Sequence, residues 1–74
     1  MTDYKERFKT EYRELKERYR KLNVLLLKHY LGELDFKPDS PIGLLEMQRD
    51  YMKKYMTILE ERAFHEKIDL EEDE

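Results

Sequence analysis

Cysteine is absent from the 74-residue chain, which excludes both a disulfide framework and a zinc–thiolate site. Small secreted domains usually need such staples, so the expected compartment is a reducing cytoplasm. Glycine and proline number only two each, leaving few places where a helix would have to stop. Long apolar runs are missing too. The longest, "VLLL", falls far short of the ~20 residues that span a bilayer, and the opening "MTDYKERFKT" carries no apolar signal region. No membrane partner is expected.

What the chain does have is charge. It is 45% charged and 39% hydrophobic, a balance typical of long helices and coiled coils. Its six Tyr and three Phe, together with regular apolar spacing, argue against disorder. The net charge of −3 is unevenly spread: residues 1–31 hold nine Lys/Arg against five Asp/Glu, and residues 32–74 hold six against thirteen. A basic first half joined to an acidic second half points to self-complementary pairing. A general nucleic-acid binder would be basic overall, so nucleic acid is disfavoured as a partner.

Tyr4, Phe8, Tyr12, Leu15, Tyr19, Leu22 and Leu26 recur at steps of three and four, the seam of an amphipathic helix. Thr2 or Asp3 is the expected N-cap, with Glu6 three positions after Asp3 as in a capping box. Gly32 suits the left-handed C-terminal cap. The first helix should run over about 3–31, and 32–40 should form the hinge, with Leu34 and Phe36 tucked onto the helix ends. Ser40 as N-cap and Pro41 at the first helical position mark the next onset. The second helix should cover about 41–66 and leave an acidic tail, 67–74, from which Ile68 and Leu70 can dock. This helix carries two adjacent seams: Leu45, Gln48, Met52, Tyr55 and Leu59 on one, Leu44, Met47, Tyr51 and Ile58 on the other. One partner helix covers one seam, not both.

The expected fold is therefore all-α: two long helices in an antiparallel hairpin, one unit over 1–74. A lone hairpin encloses little core, and chains of this size are marginal even with one. The hairpins are accordingly expected to assemble into an oligomeric helical bundle, as a four-helix dimer or a higher symmetric array.

No catalytic constellation is found. There is no nucleophile beside a base, no HExxH, Walker loop or GxGxxG, and no Glu-x-x-His pair of the di-iron bundle type. The expectation is no enzyme, no cofactor and no metal. One pattern does stand out. Lys5, Lys9, Arg13, Lys16 and Arg20 share one helical face, where like charges repel, and they run beside the Tyr4, Phe8, Tyr12, Leu15 and Tyr19 seam. Phosphates would meet the cations and bases would stack on tyrosine rings. Neutralisation of the row by Glu46, Asp50, Glu60 and Glu61 of the second helix, or of a neighbour, is the plain structural alternative.

The segments "YKERFKTEYRELKERYRKL", "PIGLLEMQRDYMKKYMTILEERA" and the closing "IDL" resemble a family of small proteins of crAss-like and other tailed phages and prophages. The resemblance spans nearly the whole chain and carries no catalytic residues. In size, origin and architecture the chain is also similar to the anti-CBASS and anti-Thoeris sponges of phages. That similarity implies assembly in the host cytoplasm and sequestration of cyclic-nucleotide or ADP-ribose-type immune signals in clefts between protomers. The leading expectation is thus a non-enzymatic phage accessory protein, with Lys5, Lys9, Arg13, Lys16, Tyr4 and Tyr12 as ligand-binding residues. The alternative is a helical interaction module that inhibits or adapts a host or phage protein through the surplus apolar face of its second helix.

Overall fold

Asp3 begins the first helix by accepting the Glu6 amide on its side chain at 2.8 Å, which satisfies one of the amides that a helix start leaves without an intrahelical partner. In the computed structural model, which describes residues 3–70, α1 then runs from Tyr4 to Tyr30 and α2 from Ile42 to Glu66. Thr2 and the last part of the acidic tail, 71–74, lie outside the described residues.

Both helices stop in the same way. Gly32 takes φ +71°, and the amides of Gly32 and Glu33 return to the carbonyls of His29 and Lys28 at 3.0 and 2.8 Å. This is a Schellman motif. At the end of α2, Lys67 takes the left-handed position at φ 59°, and the Ile68 amide returns to Ala63 at 2.8 Å. The reversal drops Ile68 into the core. A side chain with a Cβ pays for this backbone conformation where glycine does not. Lys67→Gly is expected to stabilise the hairpin by about 0.5–1 kcal/mol, raising the melting midpoint by a few degrees in thermal circular dichroism.

The start of α2 departs from the sequence reading. Pro41, not Ser40, is the cap residue, and no side chain caps the helix. Pro41 is extended, with φ −58° and ψ 146°, and its carbonyl accepts the amides of Leu44 and Leu45 at 3.0 and 3.3 Å. The proline ring presents no oxygen to the first turn, so the onset relies on its fixed backbone angle alone. Phe36 is exposed and only Leu34 is half-buried, so the hinge is tucked by one of its two apolar side chains.

The helices pack antiparallel into a rod 43 × 20 × 19 Å. The core lies toward the end away from the hinge. There Phe8 and Leu15 of α1 meet Met56, Leu59 and Ala63 of α2 and Ile68 beyond it, with Tyr12, Tyr19, Met52 and Leu70 packed against them. Leu26, nearer the hinge, is also fully buried. The α2 seam that faces α1 is thus Leu45, Met52, Met56, Leu59 and Ala63, while Leu44, Met47, Tyr51 and Ile58 stand exposed.

Candidate functional site

The helix pairing is drawn together by phenols that donate to carboxylates across the interface. Tyr12 donates to Glu60 at 2.6 Å and Tyr4 to Glu66 at 2.8 Å. Tyr30 donates to Glu46, and Tyr55 of α2 donates back to Glu11 of α1. These bridges occupy Glu46 and Glu60, two of the acids that the charge pattern assigns to neutralising the basic row. At the open end, Arg62 gathers several groups. Its guanidinium donates to Glu66 at 3.0 Å and to the Tyr4 hydroxyl, and lies 5.0 Å from the centre of the Phe8 ring.

These contacts fix the titration of the ends. The Tyr4 hydrogen bond, followed by the Arg62 contact, holds the Glu66 carboxyl below its ordinary range. The hydrogen bond from Arg20 does the same for Glu17. Donation to Glu66 raises the Tyr4 phenol, and donation to Glu46 raises the Tyr30 phenol. A lowered carboxyl contributes stability that is complete above its unfolded value, about 4.3, and is lost as pH falls through the folded value. A raised phenol contributes stability that is complete below about 10 and is lost as pH rises through the folded value. Glu17, Tyr4 and Tyr30 are exposed and Glu66 is only half-buried, so solvent screening keeps each contribution modest. The melting midpoint should therefore be flat between about pH 5 and 9 and fall on both sides, which a pH series of thermal melts checks.

The helix geometry splits the basic row. Lys9 is buried, with 9% of its surface exposed, and its ammonium stands 4.0 Å from the Glu6 carboxylate. Arg20 donates two hydrogen bonds to Glu17, at 2.7 and 3.2 Å, and Lys21 stands 3.9 Å from the same carboxylate. Arg13, Lys16 and Arg20 line one side of a trough of about 810 Å³ on the flank of the hairpin. Tyr19, Val24, Leu27 and Met56 supply its apolar floor, and Asn23 supplies an amide. Its volume lies within the usual range for small-ligand sites, and it has their usual make-up, an apolar lining with a few polar groups.

Of the six residues expected from sequence to bind a ligand, Arg13 and Lys16 line the trough. Lys5 and Lys9 precede it along α1. Tyr12 turns its hydroxyl to Glu60. Tyr4 is engaged with Arg62 and Glu66, on the opposite flank of α1. The residues sequence reasoning missed are Tyr19 as the lining ring, with Asn23, Val24 and Leu27. The available signal was that Val24 and Leu27 fall outside the Leu22–Leu26 seam and so had to face something other than α2.

A second hollow, of about 600 Å³, lies at the hinge between His29, Phe36 and Pro41, lined by one cation, Lys37, and one acid, Asp39. Among the described residues no group of three or more His, Asp or Glu converges as metal ligands would. No helix there is long and apolar enough to cross a membrane.

A family model described as Sequestin matches residues 2–65, which takes in α1, the hinge and nearly all of α2. No curated protein and no solved structure matches the chain. With so much of its length matched, the chain belongs to the Sequestin family, whose name implies the sequestration of something and hence a binding role, not a catalytic one.

Proposed function

We propose that the chain is a non-enzymatic phage accessory protein whose assembled hairpins sequester a small phosphorylated signal of the cyclic-nucleotide or ADP-ribose type. The observation that carries this reading is the flank trough, in a chain of a family named for sequestration. An apolar floor edged by cations suits a ligand with a planar base at one end and phosphate at the other. Phosphate oxygens accept from Arg13 and Lys16, and the base lies against Tyr19, Val24 and Leu27. Lys5 and Lys9 extend the positive potential along α1 towards a second phosphate. Tyr4 and Tyr12 hold the hairpin closed through their hydroxyls, which leaves the stacking role to Tyr19. A neighbouring hairpin laid over the open trough would exclude water and retain the ligand.

Calorimetry against cyclic dinucleotides, cyclic trinucleotides and ADP-ribose derivatives tests the proposal. Micromolar or tighter binding of one class, weakened by salt as a phosphate contact requires, is the expected result. Absence of heat with every member at micromolar protein overturns it.

A further inference from the structure

The exposed face of α2 reads the same in both directions. Leu44, Met47, Tyr51, Tyr55 and Ile58 follow one another at steps of three, four, four and three, symmetric about Tyr51. They are 56, 51, 61, 43 and 56% exposed respectively. At 3.6 residues per turn these five positions fall on one stripe. Such a row matches a second copy of itself laid antiparallel, the self-complementary arrangement of a two-fold interface.

We propose that the hairpin forms a two-fold dimer through this stripe, with the axis at Tyr51. In that register Leu44 meets Ile58 of the partner subunit, Met47 meets Tyr55 of the partner subunit, and the two Tyr51 rings meet across the axis. The charges agree with the same register. Asp50 and Lys54 lie one turn apart on one side of the stripe, and inversion sets each Lys54 beside Asp50 of the partner subunit. Lys54 already leans over the Tyr51 ring, 5.5 Å from its centre, so its ammonium is carried at the axis. A parallel arrangement would instead carry the two Lys54–Asp50 edges to opposite sides of the interface, where they do not meet. The five apolar side chains are the kind of surface that a homodimer buries, and a chain this small gains most from burying them.

The dyad also fixes where the trough goes. Tyr55 bridges to Glu11 on the flank of the stripe, whereas Tyr12 bridges to Glu60 on the other flank, where Lys16 and Leu27 edge the trough. Dimerisation through the stripe leaves both troughs facing outwards, and covering them is a separate contact between dimers. This inference shares the assembly premise of the proposed function and does not depend on its ligand.

The test uses the intact chain without ligand. Light scattering at about 100 µM should give twice the 9.3 kDa chain mass, and Tyr51→Arg should return one chain mass while keeping its helical circular dichroism. Because the chain has no native cysteine, Tyr51→Cys offers a second readout that needs no disruptive substitution. Two sulfurs at the axis are within disulfide reach and should oxidise to a covalent dimer. Ile58→Cys would place the pair roughly 20 Å apart along the helix, and Leu27→Cys would place them on the outer flanks, so neither should cross-link. A monomeric mass for the wild-type chain overturns the proposal, whether the stripe then stays bare or takes an unrelated protein. Equal cross-linking of all three cysteine variants overturns the register. A dimer that binds no nucleotide leaves this interface standing and removes only the ligand reading.

Discussion

Leu59→Ala is expected to unfold most of the chain at room temperature, or to lower its melting midpoint by at least about 10 °C. Leu59 is 1% exposed and packs with Phe8 and Leu15 of α1, Met56 and Ala63 of its own helix, and Ile68. Removing a buried leucine side chain costs about 2–5 kcal/mol, from lost transfer energy and the void left behind. A domain of this size rarely has more than about 3–5 kcal/mol to lose. The void would open where the two helices and the Ile68 reversal converge, so no neighbouring layer can collapse into it. Glu61→Ala, two residues on and exposed, should change stability by no more than about 0.5 kcal/mol. Urea titrations of the two variants, followed by far-ultraviolet circular dichroism, give the comparison.

The second large effect concerns binding. Lys16→Glu is expected to weaken a phosphorylated ligand by at least about tenfold, with the melting midpoint almost unchanged. Lys16 lines the trough and is exposed, so reversing its charge replaces attraction by repulsion without disturbing the core. Arg20 is the less informative choice because its guanidinium is already committed to Glu17. Calorimetry of Lys16→Glu beside the wild-type chain separates the two effects. Loss of affinity together with a collapse of thermal stability would mean that the residue holds the fold and not the ligand.

The architecture was readable because it rests on local rules. Asp3 with Glu6, Gly32 after Tyr30 and Leu31, and the three-and-four spacing from Tyr4 to Leu26 each act within one or two turns of chain. The seam of α2 that α1 leaves uncovered was readable for the same reason; in the covered seam the expected Gln48 and Tyr55 stand exposed, and Met56 and Ala63 face α1 in their place. The contacts that were not readable join residues far apart in the chain. Nothing local to Arg62 shows that it will meet Tyr4 and Phe8, and nothing local to Glu60 shows that a phenol, not an ammonium, will reach it. The charge tally predicted that the acids of α2 would attend to the cations of α1. Tyrosines took two of those acids because they sit at the edge of the seam, with hydroxyls at the reach of the facing helix. Arg13, Lys16 and Arg20 meet Met56 of α2 only across the lining of the trough, another juxtaposition that no local spacing reveals.

The four phenol–carboxylate bridges also give the molecule an internal optical gauge. The chain has six tyrosines and no tryptophan, so its near-ultraviolet emission is tyrosine emission, undimmed by transfer to an indole. A carboxylate that accepts the phenolic proton quenches the excited ring. Four of the six rings are held in that dimmed condition while the helices stay zipped, and parting the helices should brighten the sample without any added dye.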